Sequence, residues 1–244
     1  MQRIPVAPRA DLADRAKRAG FDFATIDGEV YWDERAYYAF TLREIEDDIE
    51  APSQELHALC LELVDKAVRD ERILQRLAIP EHAWGIIRDS WTRRDAPLYG
   101  RFDLAYDGEG PAKLLEYNAD TPTALFEASV FQWDWLEDAG ARNIIPPDAD
   151  QFNALHETLI SALSERRKQF DALMPAMHFA CMKGSDEDLG LITYIAACAK
   201  EAGFTPKLLA IEDIGSRDEG PFLDLDDAPI GLLFKLYAWE WMFE

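Results

Sequence analysis

The chain has 244 residues, of which 48% are hydrophobic, and its 47 acidic and 25 basic residues give a formal charge of −22. This composition predicts a folded globular protein of one large or two smaller domains and argues against general disorder. The acidity argues against nucleic acid or an anionic membrane as a partner, because both bind basic surfaces. Residues 101–244 carry most of the negative charge and suit a metal or amine cation, although acidity often serves only solubility.

The first hundred residues are predicted to be mostly helical. Residues 11–18 form a short amphipathic stretch, and residues 31–50 are rich in aromatic and acidic side chains. A clearer helix covers residues 53–69, where apolar side chains recur at helical spacing. Another covers residues 81–93 and follows Pro80, which suits the start of a helix.

The pattern changes in residues 98–118. Polar and apolar side chains alternate there in two runs around the turn Asp-Gly-Glu-Gly at 107–110, which predicts a β-hairpin. A helix is predicted to follow over residues 121–138. Thr121 is expected to be its N-cap and Pro122 its first helical residue.

The remainder of the chain predicts helices and strands in alternation. Residues 143–150 are the best candidate for a linker. Helices over residues 151–170 and 186–202 then alternate with strands over residues 176–182 and 207–211, which is typical of a parallel sheet in a Rossmann-like half-domain. The glycine fingerprint of dinucleotide-binding proteins does not follow the first of these strands.

These elements predict a mixed α/β protein in two parts. Residues 1–142 form a helical region with the hairpin, and residues 150–244 form the Rossmann-like αβαβ unit. The apolar and aromatic run at 230–243 stands next to the last residue of the sequence. Because such a run is usually buried by further chain, we expect this sequence to be a C-terminally truncated fragment.

Four polar side chains of the hairpin carry the strongest functional signal. Arg101 and Asp103 are two residues apart on one strand, and Glu116 and Asn118 are two apart on the other, so each pair shares one face of its strand. A turn of even length, two or four residues, sets Arg101 opposite position 114 or 116 and brings both pairs onto one face. The opposite face is then apolar and can pack on a core: Phe102, Leu104, Leu115 and Tyr117.

This polar face suits Mg²⁺ together with a phosphate. Asp103, Glu116 and Asn118 offer the hard oxygen ligands that Mg²⁺ prefers, and Arg101 offers a forked donor for a phosphate oxygen. The predicted helix N-terminus that follows favours an anion as well. Two alternatives stay open, which are an ordinary solvated hairpin face and a retaining glycosidase that uses the Asp103–Glu116 pair.

A family resemblance accompanies these residues. The run YGRFDLAYDGEGPAKLLEYNADTPTALFEASVFQWDW at 99–135 resembles the synthetase domain of glutathionylspermidine synthases and their shorter acid–amine ligase relatives, which are ATP-grasp ligases. The later stretches at 204–215 and 222–242 resemble the same proteins. The resemblance implies that ATP phosphorylates a carboxylate and that an amine attacks the acyl-phosphate to form an amide. It implies Mg²⁺ and ATP, with a small acid and an amine or polyamine as substrates.

The resemblance also implies roles for single residues. Arg101 contacts the transferred phosphate, and Mg²⁺ is held by the three oxygen ligands already given. Thr121 and Thr123 match the small hydroxyl residues that bind the thiol-tripeptide substrate, and Ala124 matches a cysteine of the bifunctional enzymes. Asp188, with its neighbour Glu187, matches an acidic pair that helps to hold the polyamine.

One departure from the family is large. Its members are longer, and the lysines and additional arginines that hold the nucleotide match no residue up to position 244. We therefore expect an ATP-grasp ligase that is incomplete and inactive as this chain. The alternative is a non-catalytic acidic module that keeps the fold and binds a divalent cation, a polyamine or a protein partner.

The cysteines and histidines indicate a cytoplasmic protein without zinc. Cys60, Cys181 and Cys198 show no C-x-x-C spacing and are expected to be reduced core residues. The four histidines are scattered, which argues against a zinc site. The first twenty residues lack the apolar segment of a secretory signal, and no apolar run is long enough to span a bilayer.

Overall fold

A computed structural model describes residues 1–170, 176–217 and 220–243, and these residues adopt the mixed α/β fold that the sequence predicts. The α-helices are α1 (Leu12–Ala19), α2 (Ala51–Ala67), α3 (Glu71–Arg76), α4 (Trp84–Arg93), α5 (Gln132–Ala141), α6 (Leu155–Arg167), α7 (Asp186–Glu201) and α8 (Trp239–Met242). The strands are β1 (Gln2–Pro5), β2 (Thr25–Ile26), β3 (Glu29–Val30), β4 (Ala36–Ala39), β5 (Arg101–Ala105), β6 (Lys113–Asn118), β7 (Ala176–Cys181), β8 (Thr205–Ala210), β9 (Gly215–Ser216), β10 (Phe222–Leu223) and β11 (Leu233–Leu236). Segments of π-helix at Glu44–Glu50 and Glu127–Phe131 run directly into α2 and α5.

The chain divides into two compact units, each made of separate stretches of sequence. The first unit comprises Met1–Ile4, Tyr37–Ala119 and Trp239–Glu244, and the second comprises Pro5–Ala36 and Asp120–Ala238. The units group residues that lie close together in the fold, whereas the predicted domains are continuous stretches of sequence. The predicted division into domains 1–142 and 150–244 stays a prediction.

The first unit contains the hairpin β5–β6 and helices α2 to α4. Its long helical stretch starts with a capping box, in which the backbone N–H of Thr41 donates to Glu44 Oε2 at 2.7 Å and the Glu44 N–H donates to Thr41 Oγ1 at 3.2 Å. The helical backbone then continues through the π-helical segment into α2, so it begins well before residue 53. The pattern Thr-x-x-Glu at 41–44 is visible in the sequence and could have located this start.

The second unit is built around a parallel sheet with the strand order β11-β7-β8. Helix α7 connects β7 to β8, which is the βαβ arrangement that the alternation of elements predicts. Ser185 caps α7, because its side chain accepts a hydrogen bond from the Asp188 N–H at 3.2 Å. Buried side chains from β7 and α7 form the core, among them Phe179, Leu191 and Ile195.

Strands interrupt the predicted helical region. β4 occupies Ala36–Ala39 within the aromatic stretch 31–50, so the expectation of mostly helix is wrong there. β4 pairs with β1, and its Tyr37 and Tyr38 are aromatic residues, which favour strands. In the described part of the chain, no helix has the length and apolar character that crossing a bilayer requires.

Candidate functional site

The hairpin brings the four predicted polar residues together. In the antiparallel pair β5–β6, Arg101 lies opposite Asn118 and Asp103 lies opposite Glu116. Because side chains alternate along each strand, all four project from the same face of the hairpin. The predicted shared face is confirmed, and we refer to these four residues as the polar hairpin face.

The register that produces this face differs from the prediction. The strands are joined by residues 106–112 rather than by two or four residues, and the pairing shifts after Asp103 so that Leu104 lies opposite Leu114. Leu115 is the extra residue of a β-bulge and is 69% exposed, so its expected place on the apolar face is wrong. The odd connection and the bulge each shift the register by one. Together they keep the polar residues on one face.

Hydrogen bonds link neighbours within the polar hairpin face. Arg101 donates from Nε to Asp103 Oδ1 at 2.7 Å and from Nη2 to Oδ2 at 3.2 Å, and Asn118 Nδ2 donates to Glu116 Oε1 at 2.7 Å. The Arg101 guanidinium lowers the pKa of the Asp103 carboxyl, and an interaction with Glu116 lowers it further. About a third of each side chain in the Arg101–Asp103 pair is exposed. The Asp103 carboxyl is therefore ionised at neutral pH, and the pair is accessible to a ligand.

The donor set of this face fits Mg²⁺. In residues 1–170, 176–217 and 220–243, His, Cys, Asp and Glu form no group of three or more that could hold a metal ion. The hairpin offers two carboxylates, and the amide oxygen of Asn118 is the third donor. A set of oxygen donors with few protein ligands suits Mg²⁺, which completes its six positions with water and phosphate oxygens.

Contacts with helical segments hold the opposite side of the hairpin, and the sequence pattern did not predict their partners. The Phe102 and Tyr117 rings lie 4.1 Å apart between centroids, and the Tyr117 hydroxyl lies 3.1 Å from Nδ1 of His57 on α2. Burial raises the pKa of Tyr117. At the other end, the Tyr106 hydroxyl donates to Asp48 Oδ2 at 2.8 Å, and burial raises the pKa of Tyr106 to about 12. Both tyrosines stay protonated and hold the hairpin against helices.

Thr121 and Thr123 belong to the second unit, where their segment is not helical. Thr121 is not an N-cap, because helical structure starts only at Leu125. Ala124 has a φ of 67°, in the left-handed region. This backbone conformation changes the direction of the chain between the non-helical residues before it and the helix after it. Leu125 and Phe126 are both buried, so burial in the core decides where the helix begins. The predicted helix start at Thr121 and Pro122 is therefore wrong, and the helix-dipole argument for an anion at that position falls with it.

Asp188 also belongs to the second unit, in the first turn of α7. It is half-buried, and this burial raises the pKa of its carboxyl. A cavity of about 360 Å³ opens nearby, at the carboxyl ends of β7 and β8, and its lining includes Cys181, Lys183 and Leu189. Burial raises the pKa of Cys181 to about 11, so this thiol is a packing residue rather than a nucleophile.

Three named relatives resemble this chain. A protein of Haemophilus influenzae named "Putative acid–amine ligase" is 39% identical over 249 residues, which cover 99% of this chain and 61% of the relative. The bifunctional glutathionylspermidine synthetase/amidase of Escherichia coli is 28% identical over 85% of this chain and 32% of its own length. The trypanothione synthetase of Crithidia fasciculata is 26% identical over 76% of this chain and 28% of its own length.

The chain thus spans less than two thirds of the length of each of these relatives. A sequence model of one family, described as glutathionylspermidine synthase preATP-grasp, matches residues 3–244. This match covers both compact units, including the polar hairpin face and the parallel sheet. The chain belongs to the glutathionylspermidine synthase preATP-grasp family.

Proposed function

We propose that this chain is the preATP-grasp part of an ATP- and Mg²⁺-dependent ligase that joins a carboxylate to an amine. The observation that carries the proposal is the polar hairpin face, where a guanidinium, two carboxylates and an amide lie in register. The names of the relatives, which are ligases and synthetases, support the same class of reaction. The acyl-phosphate route is the part of the proposal that comes from the family resemblance.

In this proposal the polar hairpin face binds Mg²⁺ and the phosphate groups of ATP. Asp103, Glu116 and Asn118 would hold Mg²⁺, which when bound neutralises charge on the phosphate oxygens. Arg101 donates its forked N–H groups to the phosphoryl group that is transferred from ATP to the carboxylate, with ADP leaving. The amine then attacks the acyl carbon, and inorganic phosphate leaves as the amide forms.

The ion pair between Arg101 and Asp103 suggests how the face responds to its ligands. Without ligands, the guanidinium neutralises the Asp103 carboxylate at hydrogen-bond distance. If Asp103 held Mg²⁺, Arg101 would give up its hydrogen bonds to that carboxylate and donate to the phosphate instead. Both ligands would therefore replace the same ion pair, which favours joint binding of the metal and the nucleotide.

The substrate-binding residues in the proposal are Thr121, Thr123 and Asp188. In the proposal the two threonine hydroxyls bind the acid substrate, as the family resemblance implies. Asp188 would attract the amine. Because burial raises the pKa of its carboxyl, Asp188 would attract the cationic amine best at pH values where it is fully ionised.

The experiment is an assay of ADP release by the protein expressed from its complete reading frame. Glutathione and spermidine are the first probes, followed by a panel of amino acids and diamines. We expect ADP release that needs Mg²⁺, an acid and an amine together, with amide detected by mass spectrometry. Binding of Mg²⁺ or spermidine without any ADP release across the panel would favour the non-catalytic acidic module instead.

A further inference from the structure

A largely buried lysine in the second unit, Lys235, is paired with Asp120, the residue directly before Thr121. Lys235 Nζ, on β11, lies 2.5 Å from Oδ1 of Asp120, although 115 positions separate the two residues in the sequence. The Lys235 side chain is only 11% exposed, and that of Asp120 is 33% exposed. An ammonium group at this depth requires polar partners, so the contact is a built feature of the fold.

The lysine is the fixed member of this pair. β11 is an end strand of the parallel sheet. Its residue Lys235 lies in register opposite Ala180 of the central strand β7, and Ala180 is fully buried. Lys235 Nζ also donates to the carbonyl oxygen of Tyr237 at 2.8 Å, which holds the ammonium at the end of its strand. The sheet therefore determines where the ammonium sits, and Asp120 is positioned against it.

Asp120 is the first residue of a short segment with a constrained path. It is followed by Thr121, by the buried Pro122, whose ring fixes φ, and by Thr123. At the far end, Ala124 turns the chain in the left-handed region and the next residues enter the core, where the Phe126 and Phe21 rings lie 5.4 Å apart. The segment is thus held by packing at its far end and by the Lys235 ion pair at its near end.

We propose that Lys235 is a positioning residue that, through Asp120, fixes Thr121 and Thr123 for binding of the acid substrate. This inference rests on the proposed function for the role of the threonines, while the anchoring itself is a property of the second unit. Loss of the ammonium removes one anchor from the near end of the segment. The hydroxyls then sample more positions. Binding of the acid substrate must order them, and this loss of entropy weakens its affinity.

The first test separates positioning from stability by steady-state kinetics with glutathione as the acid and spermidine as the amine. We expect Lys235→Met to raise KM for the acid by about tenfold, which corresponds to about 1.4 kcal/mol, with KM for ATP unchanged. Lys235→Arg keeps the charge and should stay within about threefold of the parent protein.

Lys207 provides the matched control on β8, the other end strand of the same parallel sheet. Its Nζ lies 2.6 Å from Asp224 on the same face of the parallel sheet, so Lys207→Met also breaks an ion pair of this face but leaves Asp120 untouched. We expect KM for the acid to be unchanged in Lys207→Met. If both methionine variants lower activity in proportion to lost folded protein, with KM constant, the positioning role is overturned.

The second test does not depend on turnover. Hydrogen exchange is measured for peptides that cover residues 119–128 in the parent protein, in Lys235→Met, in Asp120→Asn and in the double variant. We expect each single variant to speed exchange in this segment and the double variant to add nothing more, because both remove the same contact. Lys207→Met should leave these peptides unchanged.

The two tests tell the two proposals apart. Absence of any Mg²⁺- and ATP-dependent turnover in the parent protein counts against the proposed function, and exchange of residues 119–128 still decides the anchoring by Lys235. Exchange that is the same in the parent protein and in Lys235→Met overturns the anchoring, whatever the kinetics show.

Discussion

At the scale of single residues, Glu116 is the most direct test of the metal site. It lies opposite Asp103 on the polar hairpin face and accepts from Asn118. Because Glu116→Gln removes one of two carboxylates from the proposed Mg²⁺ site, we expect turnover to fall by about 100-fold or more, the effect of losing several kcal/mol of charge stabilisation. The measurement is ADP release at saturating ATP over a range of Mg²⁺ concentrations.

Glu109→Gln is the matched control for this prediction. Glu109 lies in the connection of the same hairpin, is exposed and has no part in the polar hairpin face. Its substitution changes the charge of the hairpin by the same amount and should leave turnover within about twofold. Equal losses in the two variants would show that general charge, rather than a metal ligand, is what Glu116 provides.

Ala124 gives a second prediction at the residue scale. Its φ of 67° costs an alanine about 1–2 kcal/mol, and glycine adopts this region without that cost. We expect Ala124→Gly to stabilise the protein by about 0.5–1 kcal/mol in urea unfolding, after the larger entropy of glycine in the unfolded chain is counted. Ala128→Gly, within the helical segment, should destabilise by about 1 kcal/mol. Destabilisation by both substitutions would contradict the backbone described at Ala124.

At the scale of elements, the β-bulge of the hairpin sets the register that forms the site. Leu115 is exposed in the bulge, whereas the half-buried Leu104 lies on the apolar face. We expect Leu115→Ala to change the free energy of unfolding by less than about 0.5 kcal/mol, and Leu104→Ala to cost at least about 1 kcal/mol. Urea unfolding of the two variants checks the register. A larger loss at Leu115 would favour the register without a bulge.

Local patterns revealed much of this element and tertiary contacts decided the rest. The two-residue spacing of Arg101 with Asp103 and of Glu116 with Asn118 was enough to predict a shared face. The bulge could not be predicted, because an odd connection plus an extra residue gives the same parity as an even turn. The start of the next helix was predicted at Thr121 from capping chemistry, whereas burial of Leu125 and Phe126 moved it.

At the scale of the whole molecule, stability at low pH depends on a few paired carboxylates in a chain of net charge −22. Asp224 accepts from Lys207 Nζ at 2.6 Å and lies 3.1 Å from His178 Nε2. These partners lower its pKa well below the ordinary value. A carboxyl with a lowered pKa stabilises the fold above its ordinary pKa near 4, and this stabilisation is lost as pH falls toward the folded-state pKa.

We therefore expect Asp224→Asn to be less stable than the parent protein at pH 7, with the difference shrinking as the pH falls from 5 toward 2. Urea unfolding at pH 7, 5 and 3 measures this. Asp226→Asn is the control, because Asp226 contacts the same lysine at 3.1 Å but its side chain is 79% exposed. A difference between Asp224→Asn and the parent protein that stays constant with pH would contradict the lowered pKa.

The overall architecture was more predictable than the detail of its surface. The alternation of helix and strand after residue 150 predicted the parallel sheet, and β7, α7 and β8 follow that pattern closely. The burial of single large side chains is less regular, since Trp133 in α5 is 43% exposed although aromatic residues usually pack in cores. Long-range pairs such as Lys235 with Asp120 leave no local signal, because nothing in either neighbourhood specifies the other.

The role of the polar hairpin face in nucleotide binding is tested by isothermal titration of the protein from its complete reading frame with Mg²⁺ and a non-hydrolysable ATP analogue. We expect nucleotide binding that needs Mg²⁺ and is lost in an Arg101→Ala/Glu116→Gln variant. Binding should persist in Arg76→Ala/Glu109→Gln, which removes the same charges from exposed positions outside the polar hairpin face. Nucleotide binding that is unchanged by loss of Arg101 and Glu116, or absent from the folded parent protein, would contradict this role.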